Sequence, residues 1–133
     1  MILDTSYLFD LMEGDTDAHE LGEQLTDSGE IQWLPTPVVA EVYYGVTYAK
    51  SEDERRRVQN ALLGYPRVEI TEDIARTACS LLAQADQAAG GVNQSGVETN
   101  DAYIGAVADT FEEPVLTANP ADFETLDVPV QTY

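Results

Sequence analysis

Four acidic residues stand where a surface charge is not expected. Asp4 ends the apolar run Ile2-Leu3, and Glu41 interrupts Val38-Val39-Ala40-Glu41-Val42-Tyr43. Asp101 lies beside Ala102 and Tyr103, and Asp122 precedes Phe123. A buried carboxylate is costly unless it is paired or binds a metal. The chain cannot neutralise all four itself, because its bases cluster at 50–57 with only Arg67 and Arg76 elsewhere. Hard oxygen ligands with open positions describe Mg2+ or Mn2+, not Zn2+. Such a site activates water and stabilises a phosphoryl oxyanion without a catalytic His or Lys. That suits a chain whose single histidine, His19, has no motif partner. The single cysteine, Cys79, excludes an intramolecular disulfide framework and a cysteine zinc site, and agrees with a reducing interior.

The acids need a scaffold, and the punctuation of the chain supplies one. Short apolar runs alternate with helical stretches. The spacing predicts strands at Ile2-Leu3, Ile31–Leu34 (closed by Pro35), Val68–Ile70, Val115–Thr117 and Val128–Val130. Helices are predicted to Glu13 (with Thr5 and Ser6 suited to capping), over Asp15–Leu25, and from Thr36 or Pro37 onward. Further helices follow over Glu52–Leu63, from a Thr71 cap to about Ala89, and from Thr99 or Asn100. Ala118–Phe123 reads as a loop. Strands separated by helices mean βαβ units and a mainly parallel sheet with helices on both faces. Sites in such sheets lie beyond the carboxyl ends of the strands, where strand order reverses. Asp4 and the loop starting at Thr117 are therefore the places to inspect. A chain of 133 residues fits a single domain, 1–133.

These residues carry a resemblance. Leu3-Asp4-Thr5-Ser6 looks like the opening of PIN-domain proteins, and Glu41 followed four residues later by Gly45 resembles their second motif. Asn100-Asp101-Ala102-Tyr103-Ile104-Gly105-Ala106 resembles the third motif. Thr117-Ala118-Asn119-Pro120-Ala121-Asp122-Phe123 resembles the fourth. All four occur in order and span nearly the whole chain, most like VapC-type toxins of toxin–antitoxin pairs. The resemblance implies an α/β fold, a three-layer α/β/α sandwich of PIN type with a mainly parallel five-stranded sheet. It also implies a Mg2+- or Mn2+-dependent endoribonuclease acting on RNA, a homodimer, and inhibition by a cognate VapB-type antitoxin. Carried over, Asp4 and Asp101 are the principal metal ligands, Glu41 completes the site directly or through water, and Asp122 is the fourth acid. Thr117 and Asn119 then give polar support, as do Thr5 and Ser6 of the first motif. Attack by the activated water leaves a 5′-phosphate and a 3′-hydroxyl. Two departures bear on the number of metals: Pro120 lies within the fourth motif, and Asn119 fills a slot where some relatives carry Asp.

Plainer readings compete at each position. Asp4 could cap a helix, Glu41 could be a surface position, Asp101 could favour a helix N-terminus, and Asp122 could be a turn residue. Cys79 reads as a small core residue, and Tyr43, Tyr44 and Tyr48 as packing or dimer interface in preference to a base-stacking platform. Arg55-Arg56-Arg57 is either a solvated helix face or a contact for RNA phosphates or a partner's acids. A catalytically inert PIN-like binding or regulatory protein is the main alternative function. A phosphoacceptor using Asp4 is disfavoured, since no Asp-x-Asp pattern follows it.

The overall charge bears on environment. Against 25 Asp+Glu stand 6 Lys+Arg, a formal net charge of −19, which excludes a basic DNA-binding module. With 44% hydrophobic residues a core can still be buried, so the acids describe a surface and not a disordered tail. One lysine against five arginines suits a salt-adapted cytoplasm. At about 1 M salt the Debye length falls to ~3 Å and self-repulsion is mostly screened. No signal peptide or membrane span is expected.

Overall fold

The computed structural model describes residues 1–133. Five short strands, β1 (Ile2–Leu3), β2 (Leu34–Pro35), β3 (Arg67–Val68), β4 (Val115–Leu116) and β5 (Val130–Gln131), pair only in parallel. β1, β4 and β5 form one ladder and β2 pairs with β3 in another. A parallel bridge between Ile2 and Trp33 joins the two, through hydrogen bonds of 2.9 Å from Leu3 N to Trp33 O and from Trp33 N to Met1 O. The resulting order is β3-β2-β1-β4-β5, with β1 at the centre. The chain moves one way from β1 to β3 and the other way from β4 to β5, so the order reverses between β1 and β4. That crevice is where open α/β sheets place their ligands.

Seven helices cover the sheet: α1 (Thr5–Glu13), α2 (Thr16–Asp27), α3 (Thr36–Ala49), α4 (Glu52–Leu62), α5 (Glu72–Ala88), α6 (Thr99–Phe111) and α7 (Ala121–Thr125). α1 packs on α2 and α3, α3 on α4, and α6 on α5 and α7, while α3 and α6 also touch. This is the α/β sandwich expected, with differences at the element ends. The strand expected at Ile31–Leu34 lies later: Ile31 is half exposed, and β2 runs through Pro35, which also begins α3 with φ −65°. Proline's fixed φ serves both roles, since a strand end needs no further donor. The strands expected from Val68 and from Val128 are likewise shifted, to Arg67–Val68 and Val130–Gln131. Thr5 and Ser6 lie inside α1, and Asp4 holds the capping position without a side-chain capping bond. Glu98, not Thr99 or Asn100, precedes α6. Thr71 caps α5 as expected, accepting from Ile74 N at 3.3 Å. Cys79 is exposed, so it is not the core residue expected.

Part of the segment read as the loop Ala118–Phe123 is helical, because α7 begins at Ala121. A helix of five residues gains little from propensity and depends on tertiary packing. Phe123, 1% exposed, provides it. Close approach of α6 and α7 needs Gly105: a Cβ there would lie 3.2 Å from Leu126 Cδ1 and 3.4 Å from Val128 Cγ2. Replacing Phe123 with Ala should cost about 3–5 kcal/mol in denaturant unfolding monitored at high salt. A loss below ~1 kcal/mol would show that α7 is held by something else.

Candidate functional site

Asp4 emerges from the carboxyl end of the central strand and is only 6% exposed. Its Oδ2 accepts hydrogen bonds from Ser6 Oγ at 2.7 Å and Thr117 Oγ1 at 2.8 Å. Each hydroxyl accepts in turn from backbone, Ser6 Oγ from Ala118 N at 3.0 Å and Thr117 Oγ1 from Asn119 N at 2.9 Å. Thr117 is fully buried immediately after β4, so the two strands flanking the reversal are tied together at the carboxylate. Oδ1 has no protein donor. Since the one buried side-chain polar atom left unpartnered is Gln32 Oε1, Oδ1 is not fully sealed from solvent. The hydroxyl pair thus fixes one oxygen of Asp4 and leaves the other available.

Glu41 comes from the second turn of α3 and is partly buried. Thr5 Oγ1 donates to its Oε2, and Asn100 Nδ2 donates to its Oε1 at 2.9 Å. Asn100 is a member of the site that residue-type reasoning passed over; its place beside Asp101 was the available signal. Asp101 stands in the first turn of α6 and Asp122 in the first turn of α7. The Asp101 carboxyl is pushed up to about 7, first of all by burial. A hydrogen bond with Asp122 and the charges of Asp4, Asp122 and Glu41 contribute to that shift in the same direction. The four acids therefore share one electrostatic neighbourhood.

No cation accompanies them. The ion pairs of the molecule lie elsewhere: the Met1 ammonium with Glu30 and Glu113, Arg55 with Glu52, Arg57 with Glu54, and Arg76 with Glu72. Arg55, Arg56 and Arg57 are exposed on α4, and Arg57 Nη2 donates to Met12 O at 2.7 Å. None of the three bonds to the acids. Asn119 is exposed, with its backbone and not its side chain in the hydrogen-bond network. A surface cleft of about 950 Å³, lined by Tyr7, His19, Gln32 and Tyr65 among others, contains none of the four acids.

Oxygen donors with no protein cation suit a hard divalent ion in their chemistry. The carboxylates are not, however, drawn in around one point, for no three acidic, His or Cys side chains converge at coordinating geometry.

The fold and the site together define a parallel α/β domain with an acidic cleft at its strand-order reversal. A family model for the PIN domain matches residues 1–128, and the chain belongs to that family. Among solved structures, it is similar to VapBC2 of Rickettsia felis bound to a promoter DNA fragment, with 17% identity, 99% of this chain and 97% of that chain covered, and a TM-score of 0.83. DNA-bound VapBC of Salmonella typhimurium matches with 16% identity, coverages of 98% and 96%, and a TM-score of 0.81. FitAcB of Neisseria gonorrhoeae matches with 20% identity, coverages of 97% and 94%, and a TM-score of 0.76. No curated protein matches at a significant level.

The raised Asp101 carboxyl has a consequence for stability in the absence of divalent cations. Between the ordinary carboxylate range and about 7 the folded state binds the Asp101 proton and the unfolded state does not. Stability therefore falls as pH rises through that window. Asp101→Asn removes the effect and should be more stable than the parent at pH 8. After discounting for solvent in the cleft, about 1 kcal/mol is expected, roughly 3–6 °C in Tm. At pH 4 the two proteins should melt together, as thermal scans with chelator present will check. An equal gap at both pH values would remove repulsion as its cause.

Proposed function

We propose that this chain is a metal-dependent endoribonuclease, the toxin of a toxin–antitoxin pair. The observation that carries the reading is the gathering of Asp4, Glu41, Asp101 and Asp122 beside one another without a lysine or arginine. Asp4 and Asp101 are the residues to hold Mg2+ or Mn2+, Asp4 through the Oδ1 left free by Ser6 and Thr117. Glu41 has both oxygens engaged and acts through an intervening water. Asp122 completes the acidic set. When bound, the ion supplies Lewis acidity and an activated water for phosphodiester hydrolysis. Thr5 and Asn100 hold Glu41 in place, while the Ser6 and Thr117 hydroxyls orient Asp4. The expected products carry 5′-phosphates and 3′-hydroxyls.

The solved structures it resembles are toxin–antitoxin complexes, which supports a VapB-type antitoxin as partner; a homodimer is the assembled form proposed with it. No helix is long and apolar enough to cross a membrane, and a salt-adapted cytoplasm is the proposed setting. One observation favours a second reading, an inert PIN-like binding or regulatory protein: the acids do not converge at ligand geometry. Calorimetric titration with Mn2+ separates the two, since an inert member binds the ion poorly.

Asp4→Asn and Asp101→Asn should each lower Mn2+-dependent RNA cleavage by roughly a hundredfold or more, the scale of losing one key electrostatic group. The parent should keep its activity at ~1 M salt, where its surface repulsion is screened. Variants that cleave as well as the parent would end the nuclease reading. Activity confined to dilute buffer would contradict the salt-adapted setting.

A further inference from the structure

Tyr44 and Tyr48 are 70% and 81% exposed on α3, so of the two roles expected of them, packing or dimer interface, packing within the chain does not apply. Their rings stack on each other with centroids 6.2 Å apart and planes inclined by 23°. Tyr44 also borders a cavity of about 340 Å³ whose other walls are Ala40, Glu41 and Asn100. The aromatic pair therefore adjoins the very carboxylate and amide that define one side of the acidic cleft. The cavity's size falls at the low end of small-ligand pockets, ~300–1,000 Å³. Its lining joins a flat aromatic face to hydrogen-bonding groups, the combination that holds an unstacked base.

Charge narrows the choice of ligand contact. A protein that grips RNA by neutralising phosphates needs lysines and arginines, and loses affinity steeply as salt rises. This chain has a net charge of −19, and Arg55 and Arg57 are already paired with glutamates of their own helix. Stacking of bases on aromatic rings needs no cation and is open to any base. We propose that Tyr44 and Tyr48 form a stacking platform for a nucleobase of single-stranded RNA, seated in the cavity beside Glu41 and Asn100. The proposal rests on the nuclease reading for its substrate, and it assigns binding energy to base contacts in place of phosphate contacts.

The test uses the full chain, an unstructured RNA oligonucleotide with one 2-aminopurine, Mn2+ and molar salt. Tyr44→Ala should raise KM about tenfold, with kcat within about twofold of the parent, and Tyr44→Phe should restore KM because the ring face is retained. In the Asp101→Asn background, 2-aminopurine fluorescence should be quenched on mixing when Tyr44 is present and not when it is Ala. Both tyrosines are exposed, so thermal melting of Tyr44→Ala and Tyr48→Ala should match the parent. Cleavage by the parent with KM unchanged in Tyr44→Ala overturns the platform and leaves the nuclease reading standing. Quenching that depends on Tyr44 in a parent that does not cleave supports the platform and removes the nuclease reading. Loss of self-association or of antitoxin binding in Tyr44→Ala, with RNA KM unchanged, makes the face a protein contact and overturns the proposal.

Discussion

Asp4, Glu41, Asp101 and Asp122 are delivered from four separated parts of the chain, and no basic side chain is delivered with them. Holding such charges together opposes folding, and a raised Asp101 carboxyl is the direct sign of that opposition. The remainder of the molecule must supply the compensating energy. It does so with a core built around β1 and β4, where Ile2, Leu3, Val115 and Leu116 are fully buried. Apolar burial is non-directional and sums over the whole core. A localised repulsion can therefore be carried by contacts distributed far from it.

Each acid is positioned by neighbours of a different kind. Hydroxyls do it for Asp4, where Ser6 and Thr117 donate to one oxygen and spare the other. A hydroxyl and an amide together hold Glu41. For Asp101 and Asp122 the device is packing: Gly105 lets Leu126 and Val128 approach α6, while Phe123 anchors the short helix carrying Asp122. Directional bonds tolerate little displacement, whereas packed helices move together. The two pairs are thus held by different means, Asp4 and Glu41 by named donors, Asp101 and Asp122 by the seating of their helices.

The class of fold and the neighbourhood of the acids were legible because both depend on residue type and local period. Apolar runs ending at Asp4 and Thr117 marked strand ends, and strand ends beside a reversal are where a parallel sheet exposes its chemistry. Element boundaries were less legible, since two-residue strands carry almost no periodic signal. Pro35 shows the difficulty: it ends a pattern in sequence, yet in space it completes β2 and starts α3 at once. The helix at Ala121 was hidden because it forms through the burial of one ring, a tertiary effect that local propensity does not contain. Cys79, and the packing role expected of Tyr44 and Tyr48, were misread for a related reason. Helical spacing says that residues share a face, not whether another element covers it.

A chain so acidic is an unsuitable partner for RNA only while affinity is equated with phosphate neutralisation. Arg55 and Arg57 on α4 pair with Glu52 and Glu54, and such exposed i,i+3 pairs are weak and screened by salt. They do not form a basic track leading to the cleft. On the nuclease reading, a divalent ion inverts the sign of the local field, and base stacking supplies attraction that screening leaves intact. Concentrated salt then removes the long-range repulsion between protein and RNA without removing the short-range contacts. The charge that would exclude a nucleic-acid enzyme in dilute buffer becomes compatible with one in brine, provided recognition acts through bases more than through the backbone.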